Sequence, residues 1–287
     1  MSYEIDVLSR ISERFVEMSE SEQRVAQLIL DNVRAATEMS IARLADAAGV
    51  SQATVTRFAR TVDCKDVRQL KVKLAQSLAV GQRFVEETPD LDGINGVFEA
   101  IKNTLDTSRK LLVEADIQQA VAYLQQARMI FCFGMGGGSS IGSQELQFRL
   151  FRFGMPVSSY QDGVLTRMVA ASVEPQDVVV AISLTGNTAE IIDAAAIARQ
   201  YGAKVIAITR PDSPLAQNAD IVLGLQAPES DFIYKPSASR YAMLAIIDVL
   251  ATEVAKLNKR KSRDKLRRVK LSLDSHRGGD ERQPLGD

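Results

Sequence analysis

The stretch Asp177–Glu190, DVVVAISLTGNTAE, runs an apolar strand directly into a hydroxyl-rich turn that opens a helix. Val178, Val179, Val180, Ala181 and Ile182 form an unbroken apolar run, the pattern of a parallel-sheet strand covered on both faces. The character then flips. Ser183, Thr185 and Thr188 offer hydroxyls, Gly186 lets a backbone approach closely, and a helix starting near Thr188 would aim unpaired N–H groups at an anion. A phosphate monoester fits such a turn without any lysine. An ordinary Ser/Thr-capped turn has the same composition, so the rest of the chain has to decide.

At 287 residues the chain is long enough for two domains, each with its own core. The net charge of −1 hides opposite local excesses. Residues 51–80 carry Arg57, Arg60, Lys65, Arg68, Lys71 and Lys73 against Asp63 and Asp66, and residues 256–270 carry nine Lys or Arg against Asp264 alone. No window approaches the roughly 18 apolar residues of a membrane span, and the opening MSYEIDVLSR lacks a basic leader with an apolar core, so a cytoplasmic location is expected. Cys64 and Cys132 sit in no CxxC or Cys/His cluster; neither a disulfide nor a metal site is expected, and Cys132 reads as a small core residue.

Helical spacing runs over 22–33, with Val25, Leu28, Ile29 and Val33 on one face. Ser40 caps a second helix with Ile41, Leu44, Ala45 and Ala48 inside. Gly49 suits a turn at positive φ, Val50 plugs the core, and Ser51 caps a third helix whose inner face is Val55, Phe58, Ala59 and Val62. A fourth follows over about 66–78. A small residue, a turn glycine and a core plug in that order mark a helix-turn-helix. Opposite the buried face project Ala53, Thr56, Arg57 and Arg60, with Gln52 in the first turn, which suits base edges in a major groove. Ser51, Thr54 and Lys65 are placed for phosphates, with Lys71 and Lys73 around the rim.

Pro89 and Gly93 break the periodicity, and 81–95 reads as a linker. Beyond it, helices at about 94–112 and 116–126 lead into strands near 128–133, 157–160, 177–183, 203–209 and 220–225 alternating with helices, and a long helix over 237–258 closes the run. The expected fold is therefore an N-terminal all-helical domain over 1–80 followed by a doubly wound parallel α/β sheet over 96–258. In such sheets ligands bind beyond the carboxyl ends of the strands, where the order reverses. Two loops qualify, Gly134–Ser140 and Ser183–Thr188. GMGGGSS is a poor dinucleotide fingerprint, because Ser139 occupies the third glycine place, and it is no P-loop.

On SEQRVAQLIL, ARLADAAGVSQATVTRFAR, IFCFGMGGGSS, VVVAISLTGNTAEII and PSASRYAMLAIIDVL, the chain resembles RpiR-family transcriptional regulators, which join a helix-turn-helix domain to a sugar isomerase (SIS) domain. It is similar to the subgroup that controls hexose catabolism through a keto-deoxy-phosphogluconate signal, where a tail like KLRRVKLSL recurs. The resemblance implies operator DNA and a phosphorylated sugar or sugar acid as partners, self-association as a homodimer or homotetramer, and no cofactor. It places phosphate-binding hydroxyls at Ser183, Thr185 and Thr188, with backbone from Gly186 and Asn187. Where the family commonly has Gly-x-Gly-x-Ser, this chain reads Gly134 to Gly138, so the usual serine is Gly138 and Ser139 and Ser140 follow. Either Ser139 supplies the hydroxyl from a shifted loop beside Gly136, Gly138 and Ser140, or the effector differs.

An isomerase needs a base and a ring-opening acid, usually Glu and His. Glu190 stands near the turn, but the sole histidine is His276 in the tail, so a sensor rather than an enzyme is expected; an SIS-type isomerase with an accessory helical domain is the alternative. Two readings fit the basic tail, residues 259–287: phosphate contacts from Lys259 to Lys270, or an amphipathic helix using Leu266, Val269 and Leu273 for dimer packing, with a frayed end.

Overall fold

The computed structural model describes residues 6–80, 93–226 and 238–277. They form two compact units, one on each side of the stretch between 80 and 93. The linker expected over 81–95 lies outside the described residues, except for the last three positions, which open a helix at Gly93.

The first unit is helical: α1 (Val7–Arg14), a 3-10 turn (Phe15–Glu17), α2 (Glu20–Asp31), α3 (Val33–Glu38), α4 (Ile41–Ala48), α5 (Gln52–Thr61) and α6 (Val67–Val80). Each α-helix start has a cap. Ser19 and Glu22 form a reciprocal capping box on α2, with Ser19 N–H donating to Glu22 Oε2 at 3.1 Å. The helix expected over 22–33 ends instead at Asp31, because the Asn32 side chain accepts a 2.9 Å bond from Ala35 N–H and starts the separate α3. Ser40 Oγ caps α4 through Arg43 N–H, and Ser51 Oγ caps α5 through Thr54 N–H, both at 3.2 Å. Between them Gly49 sits at φ +63°, and Val50 N–H reaches back to Ala45 O at 2.9 Å. That turn sets α5 across α2 and α4, and Val25, Ile29, Leu44, Val55 and Phe58 close the core at no more than 1% exposure. Phe58→Ala would cost on the order of 3–5 kcal/mol there.

α1 and α3, and the four-residue helix Pro214–Gln217 of the second unit, stand where the spacing predicts no element. Each is too short for a full apolar stripe, and each buries only two residues. α1 is held from outside as well: Arg10 and Arg14 pair with Asp63, a non-glycine residue at φ +56° just beyond α5, at 3.2 and 3.0 Å.

The second unit runs α7 (Gly93–Arg109), α8 (Glu114–Gln126), β1 (Ile130–Gly134), α9 (Gly137–Phe151), β2 (Val157–Tyr160), α10 (Gly163–Ala170), β3 (Val178–Ser183), α11 (Ala189–Gln200), β4 (Lys204–Thr209), α12 (Pro214–Gln217), β5 (Ile221–Gly224), α13 (Ala238–Leu257) and α14 (Lys259–Arg277). The strands form one parallel sheet in the order β2-β1-β3-β4-β5. The apolar run of β3 is explained by the two cores it serves. Val178, Val180 and Ile182 pack with α8, α9 and α13 on one face, while Val179 and Ala181 pack with α10 and α11 on the other. Cys132 is fully buried in the first of these cores, and burial pushes its thiol far up, so it stays unionised. Asp177, fully buried ahead of β3, is bidentate to Arg128 ahead of β1 at 3.0 and 2.7 Å and also accepts from Glu174 N–H at 2.8 Å. This ties the starts of the two central strands together.

The described part of the tail is helical, as the amphipathic-helix reading expects: α14 continues to Arg277, with His276 exposed in its last turn. Among the described residues no helix is long and apolar enough to cross a membrane.

Candidate functional site

The sheet order puts the reversal between β1 and β3, since the chain leaves β1 toward β2 and returns to β1's other side. Gly134 is in register with Ile182, so the loops after β1 and β3 emerge side by side at the carboxyl ends. These are the two loops singled out by sequence, and they touch: Leu184 N–H donates to Ser139 Oγ at 3.4 Å. α9 and α11 start from them on opposite faces of the sheet, so two helix N-termini open on one crevice.

The second loop is built around Ser183. Its side chain is buried; Oγ lies 3.0 Å from Thr188 Oγ1 and accepts from Gly186 N–H at 3.1 Å. Thr188 is the N-cap of α11 yet makes no side-chain cap, because its hydroxyl is turned to Ser183. The first N–H groups of α11 are thereby left open toward the crevice. Thr185 and Asn187 are exposed, with Asn187 N–H donating to Thr185 Oγ1 at 3.3 Å. Gly186 stands at φ +71°, and a Cβ there would fall 2.1 Å from Ser213 Oγ, so only glycine fits the turn.

In the first loop, Gly136 is exposed at φ +75° and opens α9. The hydroxyls sought there point back into the protein. Ser139 is 7% exposed with its Oγ taken by Leu184 N–H, and Ser140 Oγ donates to Gly134 O at 3.4 Å. Gly138 faces Leu184, whose Cδ1 lies 2.8 Å from where a Cβ would stand. The first loop therefore presents backbone N–H groups, and the second presents the hydroxyls together with the Leu184 methyl that faces Gly138. Glu190, exposed in the first turn of α11, lies against Gly163, which Met135 also approaches.

On the helical unit, Ser51, Gln52, Arg57, Arg60 and Lys65 are exposed, and Thr56 is half-buried with its hydroxyl bonded to Gln52 O at 3.1 Å. Thr54 differs from the expectation that it reaches a phosphate: it is 9% exposed, and its hydroxyl sits 3.0 Å from Ser51 Oγ inside the cap. Arg57 Nε lies 3.7 Å from Glu22 Oε1. Burial alone would raise the Glu22 carboxyl, but hydrogen bonds from Ser19 and Thr61, with Arg57 nearby, hold it below the usual glutamate range.

Residues 5–81 match the helix-turn-helix domain of the rpiR family, and residues 123–253 match the SIS domain. The chain belongs to the RpiR family. It is 39% identical to the HTH-type transcriptional regulator HexR of Pseudomonas aeruginosa, over 93% of this chain and 95% of that protein, and 39% identical to HexR of Escherichia coli, over 95% and 96%. Among solved structures, the Vibrio vulnificus NanR protein complexed with ManNAc-6P superposes with a TM-score of 0.60 at 26% identity, covering 93% of this chain and 97% of that one. This RpiR-family member is accordingly a helix-turn-helix transcriptional regulator with a SIS domain.

Three features of the two sites are not legible in the family motifs. Thr209, in register with Ser183, donates to Ser183 O at 2.7 Å, and Ser213 Oγ stands 3.2 Å from Thr209 Oγ1, so the phosphate-type turn rests on hydroxyls from β4 and its following loop. Gln161, after β2, donates to Ser143 Oγ and Ser159 Oγ at 3.1 and 3.0 Å and braces α9 against the sheet edge. Glu22 was available as the S-x-x-E capping signal, which says nothing of its second contact to α5.

Proposed function

We propose that the crevice between β1 and β3 takes a phosphorylated sugar or sugar acid as effector, and that its occupancy changes the affinity of the helical unit for operator DNA. The observation that carries this is the arrangement around Ser183. Two helix N-termini and the Ser183, Thr185 and Thr188 hydroxyls converge where the strand order reverses, with Gly186 held open by the crowding of Ser213. Thr185, Asn187 and the open N–H groups after Thr188 take the phosphate oxygens; Gly136 and Gly138 supply backbone from the first loop. Ser139 and Ser140 support the loop rather than touch the ester. NanR, a relative matching across nearly the whole chain, was solved with a phosphosugar, which supports the same class of ligand here.

The reading is of a sensor rather than an isomerase. His276, the one histidine of the sequence, lies on α14, which contributes nothing to the crevice, so ring opening has no histidine partner for Glu190. Gln52, Arg57 and Arg60 read base edges, Ser51 and Lys65 hold phosphates, and Thr54 fixes the cap. A single reading helix contacts few base pairs, so the regulator acts as a homodimer or higher oligomer in the cytoplasm. A coupling of about 1–3 kcal/mol, or roughly 5–150-fold in DNA affinity, is sufficient for control.

Gel shifts on the DNA upstream of the chain's own gene, with and without a panel of sugar phosphates, test the reading. One ester should change the specific complex. Ser183→Ala should abolish that response with DNA binding intact, and Arg57→Ala should abolish site preference with ester binding intact. Turnover of an aldose phosphate by the protein alone, or an unchanged response in Ser183→Ala, overturns it.

A further inference from the structure

Between Lys259 and Lys270 two residues in three are Lys or Arg, against the single carboxylate of Asp264. On α14 the half-buried Leu266, Val269 and Leu273, with the buried Ser262, share one arc of about 60° at helical spacing. This stripe is turned to the unit's own surface, where the Lys265 stem also packs, lying against Gly154. The cations occupy the remaining arc. Lys259, Arg260, Lys261, Arg263, Arg267 and Arg268 are exposed, and among the described residues none of them forms an ion pair. Other cations of this unit are paired: Arg128 with Asp177, Arg149 with Glu145 and Asp248, Arg167 with Asp193.

Lys259, Arg263 and Arg267 repeat at i, i+4, a spacing at which like charges repel. The ridge continues onto neighbouring helices. Arg152, just beyond α9, and Lys256 of α13 border the same groove as Lys259 and Arg263, with Phe153, Ala251, Ala255 and Leu266 below. α9 begins at the effector crevice with Gly137, and Arg152 lies about four turns further on, more than 20 Å away. So this surface is separate from the crevice. An ester with two negative charges would leave most of the ridge uncompensated, whereas a phosphate backbone presents a charge about every 1.7 Å of duplex axis.

We propose that α14 is a second DNA-binding element, which grips duplex phosphates without reading sequence. The inference rests on the reading of the chain as a DNA-binding regulator, which brings a polyanion to the protein and makes duplex DNA, rather than an acidic protein, the occupant. The second unit then supplies sequence-independent affinity, and α5 supplies the choice of site.

The test is fluorescence anisotropy of the full chain with a labelled operator duplex and a scrambled duplex across a series of salt concentrations. R260Q/R263Q/R267Q should make the slope of log affinity against log salt shallower by about two to three for both duplexes, with the operator preference unchanged. The charge-conserving R260K/R263K/R267K should keep the wild-type slope. Should the glutamine triple fail to fold, R263Q and R267Q alone should each shift the slope by about one. An unchanged slope overturns the proposal. So does a loss of self-association in sedimentation with the slope per protomer preserved, which would make α14 a protein interface. A wild-type chain that fails to prefer its operator over the scrambled duplex would instead sink the regulator reading, and the slope comparison on the scrambled duplex would still judge α14.

Discussion

Thr61 Oγ1, at the end of α5, donates a 2.8 Å hydrogen bond to the carboxylate of Glu22, in the first turn of α2. The same carboxylate accepts Ser19 N–H and stands 3.7 Å from Arg57 Nε. One buried acid thus caps α2, fixes the far end of α5 and holds Arg57, the arginine proposed to read base edges. The rotational setting of α5 therefore depends on a residue of α2.

Glu22→Gln should lose about 1–2 kcal/mol of stability at neutral pH, because the hydrogen bonds to a charged acceptor weaken. The folded state lowers the Glu22 pKa, so the stability it contributes is full above the unfolded value and is lost as the pH falls through the lowered one. The gap between wild type and variant, followed by urea unfolding, should be constant from pH 6 to 8 and close below about pH 4. A gap that stays open in acid would show that the charge of Glu22 does not stabilise the unit.

Gly49 and Gly186 both sit in the left-handed region, at φ +63° and +71°, but in different surroundings. Nothing lies within 4 Å of a Cβ at Gly49, so Gly49→Ala pays only the conformational cost of about 1 kcal/mol. At Gly186 the added methyl also meets Ser213 Oγ and Thr209 Oγ1 at 2.1 and 2.7 Å. Gly186→Ala should therefore lower the melting temperature more than Gly49→Ala and remove the response to sugar phosphate as well. Equal melting shifts with an intact response would disprove the crowding.

Asp177→Ala leaves Glu174 N–H and the Arg128 guanidinium without their acceptor at the base of β1 and β3. A loss of about 2–3 kcal/mol is expected in chemical denaturation, with DNA contacts untouched. Asp177→Asn should recover part of it, since one oxygen still accepts from Glu174 N–H. A neutral Asp177→Ala would mean that the strand pairing alone holds the register.

The sheet was legible because each strand is a short apolar run between turn residues, and the observed ends differ from the expected ones by a residue or two: β3 begins at Val178 rather than Asp177. The α4–turn–α5 motif was equally legible, because Ser40, Gly49 and Ser51 each have a local steric job that the residue type announces. α1 and α3 were not, since their stability comes from tertiary partners such as the Arg10 and Arg14 pairs to Asp63, and no local pattern encodes a partner some fifty residues away. The same limit applies at the crevice. The sequence names the hydroxyls of Ser139 and Ser140, but their direction is set by Leu184 N–H and Gly134 O, contacts that exist only once β1 and β3 are neighbours.

Gly138 and Leu184 test whether those two loops act as one wall. A side chain at 138 would stand 2.8 Å from Leu184 Cδ1, the free end of a half-buried side chain that can rotate away at modest cost. Gly138→Ser should therefore fold, but displace Leu184 and weaken the response to the effector. Leu184→Ala should open the crevice with a smaller loss of stability than a core leucine shows, because the site is partly solvated. In the double variant the serine fits into the space left by the missing methyls, so the combined loss should be smaller than the sum of the two single losses by about 0.5–1 kcal/mol, read both from unfolding and from the effector midpoint in gel shifts. Strict additivity would mean that the two loops do not press on each other, and the crevice would then owe its shape on that side to the backbone of the first loop alone.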